Sequence, residues 1–235
     1  MKILCVSDQI DPLVYSNSVR ERFSDVEMVF CAGDLPMEYI DFIVSSLNLP
    51  TFFVFGNHNL NEFHLFHKAL GESSSDSKDL LGLKSVSGGA TYAGFKSLRI
   101  KTSVPKKPLL IVGASGSIRY NNGLAQYTDS GMKLRLLKLL PQLIFNKLRY
   151  GRYLDVFLAH SPPRHLQDRE DPCHRGFTCF RWFLKKFQPK YMVHGHIHLY
   201  DLQESRITKY HQTEIINVFS HYILDIPWSA HKDGV

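Results

Sequence analysis

Five short apolar runs in this chain each break off at a residue able to hold a metal ion or move a proton, and that repeated ending restricts the fold more than any other feature. Residues 2–7 stop at Asp8, Val26 to Ala32 at Gly33-Asp34, and Thr51 to Phe55 at Gly56-Asn57-His58. Asp155 to Leu158 stops at Ala159-His160, and Tyr191-Met192-Val193 at His194-Gly195-His196-Ile197-His198. Short apolar runs bounded by turn chemistry read as buried strands. Between the second and third, Met37, Ile40, Ile43, Val44 and Leu47 recur at helical spacing within residues 36–47 and supply the crossover that parallel strands require. Further strands are expected within Thr91 to Ile100 and Leu109 to Ala114, and one or two closing strands within Glu214 to Ile226. The pattern is that of an α/β chain, whose ligands collect beyond the carboxyl ends of the strands.

Asp8, Asp34, Asn57, His160, His196 and His198 all sit at such ends. In an extended segment residues two apart point the same way, so His196 and His198 can reach one centre, and Gly195 lets the backbone approach closely. Taken singly, each has a plainer explanation: Asp8 and Asp34 as turn or N-cap residues, Asn57 as a left-handed turn residue, His160 as a strand terminator before Ser161-Pro162-Pro163. Taken together they form a carboxylate, amide and imidazole set suited to Mn²⁺, Fe²⁺ or Zn²⁺, with no thiolate to favour softer metals.

The order Asp8, Gly33-Asp34, Gly56-Asn57-His58, His160, Gly195-His196-Ile197-His198 resembles the calcineurin-like metallophosphoesterase family, over residues 8 to 198. The resemblance implies a four-layer α/β/β/α sandwich of two mixed β-sheets, with two divalent metal ions at the strand C-terminal edge: Mn²⁺ first, with Fe²⁺, Zn²⁺ or Mg²⁺ as alternatives. It implies Asp8 and His198 on one ion, Asn57, His160 and His196 on the other, Asp34 between them, and His58 as the nearby acid or phosphate contact. Such a binuclear metallophosphoesterase hydrolyses a phosphodiester or phosphomonoester by in-line attack of a metal-bridging hydroxide, and an imidazole such as His58 suits proton donation near neutral pH. Two positions depart from the family pattern. Ile10 stands where Asp-x-His would place a histidine; Asp11 is either a replacement oxygen ligand, favouring Mn²⁺ or Mg²⁺, or a turn residue before Pro12. Asn59 follows Gly-Asn-His where an acidic residue is usual, and an amide cannot support a protonated His58 as a carboxylate can.

Length and composition add outer limits. A chain of 235 residues is read as a single domain, 1–235, large enough to bury a core without staples. Cys5, Cys31, Cys173 and Cys179 form no CxxC pair and are expected to be reduced. The apolar run after Met1 is too short for a signal-peptide core, and no apolar run reaches about 18 residues, so a cytoplasmic protein is expected. A formal net charge of +6 favours anionic partners. With no basic stripe interleaved with aromatics, the expected partner is a small phosphate ester and no nucleic acid is required.

Three segments are candidates for substrate or surface contact. After His160, residues 161–177 offer Arg175 and His174 as phosphate contacts, or form a salt-bridged surface loop. The small-residue turn at 113–123 offers Arg119 or Tyr120. Residues 131–152 are basic with Leu134, Leu137 and Leu140 at helical spacing and Pro141 marking a kink or break. They form either a helix packed on a sheet or a peripheral membrane contact that would bring a lipid-linked diphosphate to the metals. A lipid-linked diphosphate hydrolase is therefore an alternative function, and a non-catalytic metal-binding module on the same fold is another, kept open by Ile10 and Asn59. Residues 72–79 are read as a surface loop of low complexity.

Overall fold

In the computed structural model, which describes residues 1–66, 89–102, 107–201 and 203–227, the first apolar run is β1 (Lys2–Ser7), buried along nearly its whole length as a central strand must be. It pairs in parallel with β2 (Val26–Cys31), and β3 (Thr51–Phe53) and β4 (Thr91–Tyr92) extend the sheet in the same direction. β13 (Ser220–Asp225) closes the other edge of β1 antiparallel, giving the order β13-β1-β2-β3-β4.

The second sheet has a parallel centre of β6 (Leu109–Ala114), β9 (Val156–Ala159), β10 (Tyr191–His194) and β12 (Thr213–Asn217). Antiparallel β5 (Ser97–Ile100) and β11 (Ile207–Tyr210) flank it, in the order β11-β12-β10-β9-β6-β5. β7 (Ser117–Ile118) and β8 (Gln126–Tyr127) form a small separate pair.

Strand alternation decides what each face covers. Ile3, Cys5, Phe30 and Phe52 of the first sheet meet Leu109, Ile111, Val156, Leu158 and Val193 of the second in one apolar layer. The opposite face of the first sheet, with Leu4, Val6 and Val29, packs on α1 (Val19–Arg22) and α2 (Met37–Leu47) through Val19, Met37, Ile40 and Ile43. A short α3 (Phe63–Phe66) adds Phe63 to that layer. The outer face of the second sheet, with Leu110, Phe157 and Met192, packs on α4 (Asp129–Leu137), α5 (Leu140–Tyr150) and α6 (Thr178–Phe187). Phe157 meets Phe180 edge-on at 5.0 Å and Phe183 at 4.7 Å, and burying each such ring is worth about 2 kcal/mol or more. The result is an α/β/β/α sandwich of two mixed sheets.

Three sequence expectations are refined. The closing segment yields two strands in different sheets, because the chain leaves β12 through Val218 and Phe219 and enters β13 at Ser220, whose φ is +67°. The basic segment is broken at Lys138 and Leu139, and Pro141 lies in the first turn of α5, where its missing N–H leaves no hydrogen bond unmade. β7, β8 and β11 were not anticipated; the first two are two residues long, and β11 alternates without a buried face. The segment 72–79 lies outside the described residues.

Candidate metal centre

Strand ends from both sheets meet at one edge of the sandwich. β1 and β2 deliver Asp8 and Asp34 from the first sheet, while β9 and β10 deliver His160 and the His194–His198 turn from the second. Asp8, Asp34 and His196 hold left-handed backbone conformations, with φ of +68°, +56° and +68°. Close packing dictates the adjacent glycines. A Cβ on Gly56 would lie 2.0 Å from Asp34 Oδ1, one on Gly33 2.5 Å from His160 Nδ1, and one on Gly195 2.4 Å from Asp8 Oδ2.

Each of three imidazoles has one nitrogen engaged by the protein and the other left for the centre. His160 Nδ1 donates to the Ala32 carbonyl (2.9 Å), so Nε2 faces Asp34 Oδ2 (3.4 Å) and Asn57 Oδ1 (3.2 Å). His196 Nε2 donates to the Cys173 carbonyl (2.8 Å), which leaves Nδ1 as its ligand atom. His198 Nδ1 bonds the Tyr200 hydroxyl (2.6 Å) and its ring stacks on Phe219 (4.8 Å), with Nε2 4.0 Å from Asp8 Oδ1. Outer hydrogen bonds of this kind fix tautomer and ring orientation in metal sites. Ligand atoms of Asp34, His160 and His196, all three buried, lie within 4.8 Å of one another.

The donors that hold the carboxylates are mostly backbone. His196 N–H donates to both Asp8 oxygens (2.9 and 3.0 Å), and His58 N–H to Asp34 Oδ1 (2.7 Å). Neither aspartate pairs with a lysine or arginine among the described residues. Burial pushes the Asp8 carboxyl above its ordinary value. At Asp34 burial acts the same way, but the adjacent His160 and the hydrogen bonds from His160 and His58 outweigh it and hold the carboxyl well below the carboxylate range. Burial opposes charge on His160, yet Asp34 and Asp8 push it up to about 9, whereas burial and then His160 pull His196 down to about 3. The two buried carboxylates thus favour the charged form of a single imidazole, which is too little to neutralise both. A divalent cation among the same atoms would supply that charge and leave every imidazole neutral, and the donors are oxygens and imidazole nitrogens throughout, so the residues fit the metal they were expected to hold.

Other expected site residues stand as follows. Asn57 sits beside His160, and its Nδ2 donates to the Tyr120 hydroxyl (3.3 Å). His58 is exposed at the edge of the centre, and Asn59 Nδ2 bonds the Asp34 carbonyl (2.9 Å). Ile10 is exposed. Asp11 is not brought to the converging donors: it accepts from Leu13 N (2.8 Å), His221 Nδ1 (2.6 Å) and Ser220 Oγ, tying the loop after β1 to β13. His174 lies near the centre, its ring 5.4 Å from His196, but its Nδ1 donates to Asp171 (2.8 Å). Arg175 is exposed and bonds the Glu170 carbonyl (3.4 Å), and Arg119 is exposed, with Tyr120 rather than Arg119 reaching Asn57. His194 is buried and its Nε2 donates to Gln167 Oε1 (2.7 Å). Sequence reasoning missed the carbonyls of Ala32 and Cys173 and the Phe219 ring, because no side-chain pattern marks a backbone acceptor or a contact across 21 residues.

The calcineurin-like phosphoesterase family model matches residues 1–200, and the chain belongs to that family. Residues beyond 200 complete both sheets, through β11 and β12 in one and β13 in the other. Among solved structures, TT1561 of Thermus thermophilus superposes with a TM-score of 0.63 at 13% identity, covering 93% of this chain and 89% of that one. Phosphopantetheinyl hydrolase (PptH) from Mycobacterium tuberculosis gives 0.47 at 14% identity, covering 94% and 89%. At such identities the likeness to TT1561 is one of fold. A comparison with curated proteins returns no match.

Proposed function

We propose that this protein is a two-metal phosphoesterase that hydrolyses a small phosphodiester or phosphomonoester, with Mn²⁺ as the first candidate metal. The observation that carries this reading is the orientation of three imidazoles, each with one ring nitrogen held by a protein partner: His160 Nε2 faces Asp34, His198 Nε2 faces Asp8, and a donor atom of His196 lies within 4.8 Å of those of Asp34 and His160. In this reading Asp8 and His198 would hold one ion, Asn57, His160 and His196 the other, with Asp34 serving both. Bound divalent ions supply Lewis acidity that neutralises phosphate charge and makes water a nucleophile at neutral pH.

The protein's own groups do the rest. The backbone N–H groups of His58 and His196 fix the two carboxylates, so the donors are in place before substrate arrives. Tyr120 orients the Asn57 amide through its hydroxyl. The exposed His58 imidazole is free to hydrogen-bond a phosphoryl oxygen or to protonate the leaving oxygen. Its neighbour Asn59 is spent on the Asp34 carbonyl and lends it no charge, so His58 acts here mainly as a hydrogen-bond donor. Ile10 offers no side-chain ligand, so the ion at Asp8 and His198 would be the more weakly held of the two.

Alanine substitution of His160 or His196, or Asp34→Asn, tests the proposal. Each is expected to lower Mn²⁺-dependent hydrolysis of bis(p-nitrophenyl) phosphate by about 100-fold or more and to reduce bound metal. Retention of both metal and turnover in all three would overturn it.

A further inference from the structure

Residues 130–154 contain six of the chain's 28 lysines and arginines and none of its 22 aspartates and glutamates. The remainder therefore carries 22 residues of each sign and is formally neutral, so the whole net charge of +6 resides in this one segment. It forms α4 and α5, separate in sequence from every donor of the metal centre. Of its cations only Arg152 pairs with a carboxylate among the described residues, that of Asp155; Lys133 and Arg135 lie over the rings of Trp182 and Tyr127 instead.

The same segment exposes aliphatic surface. Leu134, Ile144 and Phe145 are each more than half exposed, and Leu148 is 82% exposed, the most of any large apolar side chain among the described residues. Ile144 and Leu148 are four apart on α5 and share a face. The helix is held firmly from behind: Leu143 is buried, and the buried Asn146 bonds the Tyr153 carbonyl (2.9 Å) and accepts from Arg99 Nε (2.7 Å) on the edge strand β5. Arg99 also covers the Phe145 ring at 4.7 Å, adding a further cation to the patch.

A rigid helix that offers branched aliphatic side chains among cations, with no acid in its segment, has the chemistry of an interfacial helix, whose apolar face enters the headgroup boundary while its cations meet anionic lipid. Nucleic acid would use the cations but gains nothing from Ile144 and Leu148, since stacking requires rings. We infer that the α4–α5 face is a docking surface for anionic lipid bilayers. This surface stands apart from the catalytic reading and does not depend on it.

The test is co-sedimentation of the full chain with vesicles of phosphatidylcholine alone and with about 30% phosphatidylglycerol, at low and raised salt. Binding is expected only to the anionic vesicles and is expected to weaken with salt. Each cation near such a surface is worth about fivefold in partitioning, so Lys138→Gln with Arg149→Gln is expected to lower it about 30-fold. Ile144→Ser with Leu148→Ser is expected to lower it at least about 10-fold by removing inserted apolar surface. The thermal unfolding transition is expected to be unchanged in both variants, which shows that they fold. Absence of sedimentation with anionic vesicles, equal binding to neutral ones, binding unaffected by either pair of substitutions, or binding of an RNA oligonucleotide in place of vesicles would each overturn the inference.

Discussion

Asp8, Asp34 and His196 hold a left-handed backbone that costs a residue with a side chain about 1 kcal/mol. Strain at three donors, together with two buried carboxylates that no lysine or arginine neutralises among the described residues, makes the metal-free site a place where stability is given up for function. Asp8→Asn keeps the shape and the acceptor for His196 N–H but removes a buried charge. In the metal-free protein it is expected to raise Tm by a few degrees, while the rise that Mn²⁺ produces is lost; differential scanning with and without metal reads both. Gly56→Ala is expected to act the other way round. Its Cβ collides with Asp34 Oδ1, so the carboxylate must move, and kcat/KM should fall about 100-fold, or about 2.7 kcal/mol in transition-state stabilisation.

Elements reach the site through loops that side chains fasten down. Asp11 fastens the loop after β1 to β13 by accepting from Leu13, His221 and Ser220, and its pKa is lowered because the Ser220 and His221 hydrogen bonds outweigh burial. Asp11→Ala leaves those donors without their acceptor and is expected to cost about 2 kcal/mol, a fall in Tm of about 4 to 8 °C in a chain of this size, with Mn²⁺ affinity unchanged. A carboxyl whose folded pKa is depressed contributes stability that is full above its ordinary value of 3.8 and is lost as pH falls through the folded value. The difference in Tm between wild type and variant should therefore persist at neutral pH and shrink below about pH 4, a comparison that thermal melts over a pH series make directly.

Legibility also divides at this scale. Long buried strands such as β1 and β6, and the helix with its apolar stripe at 37 to 47, were readable because burial imposes a period. The assignment of β12 and β13 to different sheets was not, since the crossing between them is short and includes a left-handed residue, Ser220, that composition does not mark. Side-chain donors were legible because strand ends put them in order along the chain. Their orienting partners, Ala32 and Cys173 through carbonyls and Phe219 through its ring, were not, because these contacts are made only when the two sheets close on each other.

At the scale of the molecule, the sandwich brings two strand edges together and concentrates negative charge between them, so folding and metal binding are linked. Metal that binds only the folded chain stabilises it by about 2.7 kcal/mol at 100 times its Kd, and removal by a chelator is expected to lower Tm by about 5 to 10 °C. No described helix is long and apolar enough to cross a membrane. The central claim is that the converging donors hold two catalytic ions, and it is tested most directly by stripping the protein of metal and titrating Mn²⁺ while following bound metal and hydrolysis of bis(p-nitrophenyl) phosphate together. Two ions per chain, with turnover rising as the second and weaker one binds, is the expected result; saturation with metal and no hydrolysis of either this diester or p-nitrophenyl phosphate would contradict it.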